Sequence, residues 1–399
     1  MSNTSTSLRL AAMGILLSVS LLETATASPY IPNSGAQVLE RLPTRNDPVQ
    51  KALADLRSRL QREPRNLSVA ADLARRYINL ARNDADPRYL GYAQAALAPW
   101  WNQTDPPVEV LVLRATILQS THRFSQALSD LDLLLKTDRG NGQAWITRAT
   151  VLQVQGEFEQ AKKSCAHLYG IAADLIVRTC LANVASLSGS ARPSYLALRN
   201  AFESSRNTDP GVQIWILTLL AEMAGRLGDT TAAEAHFRRA LALTGTDSYL
   251  LGAWADFLLD QGRNDEVIAL LKDKTRADGL LLRYALALNN RQSPAAAQSI
   301  AVLRDRFDAA MLRGDTVHQR EQSRFELQLM KNSKLALQLA QQNWAVQKEP
   351  ADARIFLEAA EASHDGAAAL PVLVWLKRTG LEDGVLDRLK NSLAKPKPS

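Results

Sequence analysis

The sequence predicts an all-α fold built as one array of antiparallel helix hairpins, and three observations lead there. Apolar residues make up 46% of the 399 positions and charged residues 22%, and Ala, Leu and Arg outnumber the β-branched and aromatic types, a balance that favours helices over sheets. Two segments align without gaps at a spacing of about 34 residues, the length of a helix–turn–helix unit. Arg114-Ala115-Thr116-Ile117-Leu118-Gln119 with Phe124-Ser125-Gln126-Ala127 is echoed by Arg148-Ala149-Thr150-Val151-Leu152-Gln153 with Phe158-Glu159-Gln160-Ala161. A second pair keeps the same spacing: Leu220-Ala221, Ala224, Gly228, Ala233 and Phe237, then Trp254-Ala255, Leu258, Gly262, Val267 and Leu271.

From the N-terminus, Arg9, the apolar run Leu10 to Leu22 and Ala25-Thr26-Ala27 read as an export signal, residues 1–27, with cleavage after Ala27. The run of about 13 residues is short of the roughly 20 that cross a bilayer as a helix, and no later stretch approaches that length, so no stable membrane insertion is expected. Residues 28–47, rich in Pro, Asn and Gly, read as an extended arm. Pro48 to Arg62 follows as an amphipathic helix within 48–65, with Val49, Leu53, Leu56 and Leu60 on one face. The array itself spans 66–345, opening with Leu73-Ala74 and Tyr77 on one helix and Tyr89 to Leu97 on its partner. Ala182, Ala185 and Gly189 continue the series, then the helix begun by Pro193, then Leu281, Tyr284, Ala285 and Leu288. Ser323 to Leu329, Ala336 to Trp344, Ala353 to Ala362 and Leu370 to Leu376 form hairpins with few signature residues; those in 346–394 are degenerate terminal repeats. The tail 395–399, Lys-Pro-Lys-Pro-Ser, is expected to lack order.

This pattern resembles the tetratricopeptide family. The resemblance implies a right-handed α-α superhelix: a small residue inside the first helix (Ala115, Ala149, Ala221, Ala255) lets the two helices approach closely. Gly156, Gly228 and Gly262 end the first helix in the left-handed backbone, and Phe237 or Leu271 fills the groove between units. It also implies a protein or peptide partner lying along the inner wall formed by the first helices. Carried over position by position, the candidate groove residues are Thr116, Gln119, Thr150, Gln153, Glu222, Arg226, Asp256, Asp260, Arg283, Asn289 and Asn290. The carboxylate clamp of the family's chaperone-binding members needs Lys and Asn where this chain has Thr116, Thr150, Glu222 and Asp256, so that role is disfavoured. The acidic trio Glu222, Asp256 and Asp260 would suit a basic segment, or stand as a solvated face.

Signatures of catalysis are missing. None of the five His (His122, His167, His236, His318, His364) sits in a His-Glu-x-x-His pattern, and nucleophile-elbow, Walker and dinucleotide glycine motifs are absent, so no metal, cofactor or enzymatic role is expected. His122 falls where the sister unit has Gly156 and reads as a turn residue. The formal charge of +6 is scattered along helix faces, which argues against nucleic acid. A second class of function, an enzyme acting on cell-wall or carbohydrate material, would use Glu222 and Asp256 as acid and base. Cys165 and Cys180, the two thiols, flank a tight turn near Gly170 to Asp174; a disulfide across the hairpin and two buried free thiols are both open. Trp100-Trp101, after Pro99, is the aromatic pair best placed for an exposed anchor, burial under the first unit being the alternative.

Overall fold

The computed structural model describes Ser34, Gln37 and residues 47–394. The expected signal at 1–27 and tail at 395–399, and all of the arm but Ser34, Gln37 and Asp47, lie outside them. The chain divides into two compact units, Met1–Lys51 and Ala52–Ser399, and the architecture below is that of the second. Among the described residues there are 21 helices and no strand.

Helix α1 (Pro48–Arg62) leads, its Leu53 and Leu56 buried and its Val49, expected on the same face, 48% exposed. Nine hairpins follow: α2 (Leu67–Asp84) with α3 (Arg88–Ala96), then a one-turn helix α4 (Ala98–Trp101); α5 (Val108–Ser120) with α6 (Phe124–Thr137); α7 (Gly142–Val154) with α8 (Phe158–Ala166); α9 (Asp174–Ser186) with α10 (Ala191–Ser204); and α11 (Pro210–Arg226) with α12 (Thr230–Leu243). The series continues as α13 (Ser248–Asp260) with α14 (Asn264–Leu271), α15 (Asp278–Asn290) with α16 (Ala295–Leu312), α17 (Gln319–Gln328) with α18 (Ser333–Val346) and α19 (Pro350–Ala362) with α20 (Leu370–Thr379); α21 (Gly384–Leu393) ends it. Each hairpin packs on the next in chain order.

Local chemistry sets these boundaries. Asn141, Asp229 and Asp247 each accept a hydrogen bond from a backbone N–H of the first helical turn they precede, satisfying a donor that the helix leaves unpaired. Pro210, in the first turn of α11, gives up an N–H that has no intrahelical partner. Gly156, Gly228 and Gly262 hold φ of 78°, 80° and 69° at the hairpin turns. Ala115, Ala149, Ala221 and Ala255 are all buried where paired helices meet, and Phe237 and Leu271 are buried between units. Cys165 in α8 and Cys180 in α9 are joined by a disulfide, 15 residues apart in sequence.

The array does not end as an open spiral. A single apolar cluster combines Phe158, Leu168 and Val184 of the third and fourth hairpins with Trp344, Phe356 and Trp375 of the last two. At this seam Lys348 N donates to the Val154 carbonyl at 2.7 Å, Ala191 N donates to Glu382 Oε1 at 2.9 Å, and the backbones of Gly189 and Gly380 approach so closely that a Cβ on Gly189 would stand 3.5 Å from the Gly380 carbonyl oxygen. Ser248 Oγ at the head of α13 donates to the Asn83 carbonyl of α2 at 2.8 Å. One turn of the solenoid therefore rests against the next.

Candidate functional site

The helices that carry the candidate residues, α5, α7, α11, α13 and α15, are each the first member of their hairpin, the side on which the resemblance expects one wall. On α5 and α7 this wall is quiet. The hydroxyls of Thr116 and Thr150 donate to the carbonyls of Val112 (2.8 Å) and Ile146 (3.0 Å) in their own helices, which satisfies the donors locally. Gln119 is half-buried, and Gln153 Oε1 accepts from Asn183 Nδ2 of α9 at 3.0 Å, a bond between neighbouring first helices.

On α11 and α13 the wall is charged. Asp256 accepts from Arg283 Nη2 at 2.5 Å and from Arg324 Nη1 at 2.6 Å. Arg283 is fixed further by the carbonyls of Gly252 (3.1 Å) and Gly279 (2.8 Å). Burial works against the Asp256 carboxylate, but the two guanidiniums outweigh it and hold the group well below the usual carboxylate range. Asp260 is gripped by Arg354 through two parallel bonds of 2.7 and 2.8 Å. Glu222 accepts from the Tyr249 hydroxyl at 2.8 Å. Burial pushes the Glu222 carboxyl up, with Arg226 opposing, while the neighbouring Glu222 charge pushes the Tyr249 phenol well above its ordinary value. Arg226 donates to Ser186 Oγ at 3.0 Å, and its Nε is buried without a hydrogen-bond partner.

Tyr249 is 60% exposed although Glu222, Glu349 and Arg320 surround it closely enough to act on its charge, so the wall here borders a solvent-accessible hollow rather than packed core. Across the hollow stand α17 and α19. Arg320 there reaches Glu349 at 2.9 Å and Asp352 at 3.5 Å. Asp352 also accepts from Asn343 Nδ2 (2.8 Å), Gln347 Nε2 (3.1 Å) and Glu349 N (2.7 Å); burial nevertheless pushes its carboxyl up to about 6.

The structure thus brings Glu222, Asp256, Asp260 and Arg283 into one charged network with Arg226 at its edge. Asn289 is exposed and Asn290 is tied to Asn264 Oδ1 at 3.0 Å, so neither joins it. Tyr249, Arg320, Arg324, Glu349 and Arg354 belong to the site and were not foreseen. Four of these five sit in the hairpins that have lost the repeat signature, 68 residues from Asp256 in the case of Arg324 and 94 from Asp260 in the case of Arg354. No local sequence signal marks them. Trp100 and Trp101 are half-buried against the first hairpins, where the Trp101 carbonyl accepts from Arg114 Nη1 at 2.5 Å.

Nine hairpins in chain order, a left-handed residue after the first helix of each, and buried Ala115, Ala149, Ala221 and Ala255 are thus all present. The fold is a tetratricopeptide-type solenoid. No protein-family model matches the chain and no curated protein matches it. Among solved structures, the human IFIT1 dimer with PPP-AAAA is 17% identical, with 85% of this chain and 84% of that one covered and a TM-score of 0.42. Yeast Tom70 is 11% identical over 88% of this chain and 91% of its own, with a TM-score of 0.31. The Cut9 and Hcn1 hetero-tetramer of the APC/C is 16% identical over 78% of this chain, which spans about half (52%) of the matched chain, with a TM-score of 0.38. Within this tetratricopeptide-type solenoid no group of His, Cys, Asp and Glu among the described residues has the arrangement of a metal site, and no described helix is long and apolar enough to cross a membrane.

Proposed function

We propose that the chain is an exported scaffold of the cell envelope, periplasmic in location and without catalytic activity, that holds a protein or peptide partner along its inner wall. The observation that carries this reading is the hollow beside α11 and α13. There Asp256 and Asp260 face Arg324 and Arg354 through side-chain bonds that water reaches, while Leu259 of α13 packs beside them on the apolar cluster that holds Phe325 of α17. A segment that supplies charge and hydrogen bonds can enter such a place without breaking apolar packing. Glu222, Asp256 and Asp260, each already facing an arginine of this chain, suit a basic protein segment by the same kind of pairing.

Export is supported by the Leu10 to Leu22 run with its Ala25-Thr26-Ala27 site and by the Cys165–Cys180 disulfide, which persists in oxidising compartments. The competing reading, acid–base chemistry on wall polymers by Glu222 and Asp256, asks Asp256 to exchange protons while two guanidiniums hold it ionised, which suits a structural carboxylate better than a catalytic one.

The test is photo-crosslinking in intact cells. A benzophenone amino acid at Tyr249 should yield a defined protein adduct, whereas the same group at Leu243, 40% exposed in α12, should not. Equal labelling at both positions, or none at either, defeats the inner-wall reading. Turnover of a wall polymer by the pure protein, lost in Glu222→Gln, would replace it with the enzymatic one. Purified mature protein that begins at Met1 instead of near Ser28 would defeat the export proposal.

A further inference from the structure

The carboxylates of the inner wall are already served by arginines, and the service is asymmetric. Arg283 is built in: it comes from the adjoining α15 and is held by two backbone carbonyls as well as by Asp256. Arg324 and Arg354 come from across the hollow, and each keeps a second partner in its own helix. Arg324 Nε donates to Gln328 Oε1 at 3.1 Å, and Arg354 Nε donates to Glu358 Oε1 at 2.7 Å. Either guanidinium can therefore swing off its carboxylate by side-chain rotation and keep a hydrogen-bond partner. The backbone beneath need not move, because Trp344, Phe356 and Trp375 anchor these hairpins elsewhere. The side chains of these pairs are between 19% and 33% exposed, so water reaches them and assists the exchange.

We infer that Arg324 and Arg354 are internal competitors for the inner wall, occupying Asp256 and Asp260 until a partner segment bearing arginines takes their place. This rests on the inner wall being the partner-binding surface. The incoming group is a guanidinium in preference to an ammonium, because Asp260 is set for two parallel N–H···O bonds that only a planar fork supplies. Partner affinity is then the small difference between two sets of like ion pairs, which keeps binding reversible and selective for arginine placed in register.

Fluorescence anisotropy with a labelled arginine nonapeptide, and a lysine nonapeptide beside it, tests this on the full mature chain at low salt. Arg324→Gln with Arg354→Gln should tighten the arginine probe about fivefold or more over the wild type, with a smaller gain for lysine. In a background carrying Asp256→Asn and Asp260→Asn, the same two substitutions should bring no gain. An unchanged arginine affinity in the folded variant overturns the inference, as does an equal gain without the two aspartates, which would be a general charge effect. Arg354→Gln alone touches a pair open to water and decides the matter if the double variant does not fold. A crosslink at Tyr249 retained alongside unchanged affinities sinks the competitors and leaves the inner wall standing; loss of that crosslink sinks the wall itself.

Discussion

His122 and Gly156 occupy the same turn in successive hairpins, with φ of 56° and 78°. A non-glycine residue in that backbone region costs on the order of 1 kcal/mol, and His122 offsets part of it by stacking on Phe124 at 5.4 Å between ring centres. His122→Gly should therefore shift stability by less than about 1 kcal/mol in urea unfolding, relief of strain being balanced by lost packing and a freer unfolded chain. Gly156→Ala differs, because its Cβ would stand 3.0 Å from Trp375 Nε1 and 3.4 Å from Lys348 Cδ, whereas a Cβ on Gly228 meets nothing within 4 Å. The first should cost about 2 kcal/mol or more and the second about 1; equal costs would mean that the C-terminal hairpins do not press on this turn. Glu234 gives a pH dependence. The hydrogen bonds from Arg263 and then Arg238 hold its carboxylate down to about 2. A carboxylate depressed on folding contributes stability that is present above about 4.5 and is lost as pH falls through about 2. The side chain is 29% exposed, so the contribution is about 1 kcal/mol after screening. The gap in urea midpoint between wild type and Glu234→Gln should be constant from pH 7 to 5 and close by pH 2.

At the scale of elements, α8 and α9 show what one cross-link does for a short hairpin junction. The disulfide closes a loop of 15 residues, for which chain entropy predicts about 3 kcal/mol. Cys165→Ala with Cys180→Ala should lower unfolding free energy by that order, and reducing agent should do the same to the wild type but not to the variant. Helix positions were largely legible in the sequence because their causes are local. Pro48 to Arg62 forms a helix with those limits, and the turns at Gly156, Gly228 and Gly262 are where the glycines lie. Helix α10 begins at Ala191, two residues before the expected Pro193. Helix α17 starts at Gln319 rather than near Ser323, because its N-terminal turn is held by charged contacts to the head of the neighbouring α19, Arg320 to Glu349 among them, that no hydrophobic period announces.

At the scale of the molecule, stability is concentrated in the seam where the late hairpins meet the early ones. Trp375 lies buried against Trp344 at 5.2 Å and Phe158 at 6.1 Å. Trp375→Ala should cost about 3–5 kcal/mol and release residues 333–393 to proteolysis and hydrogen exchange before the hairpins at 108–271 respond. A single cooperative loss of protection across both would show that the seam does not separate them. The sequence by itself determined the hairpins and their order, since each follows from contacts within about 34 residues along the chain. The tertiary structure alone decided that the wall of Asp256 and Asp260 is met by Arg324 and Arg354 of the same chain. That outcome depends on small rotations summed over several stacked units, and a sum of that kind leaves no trace in any one repeat.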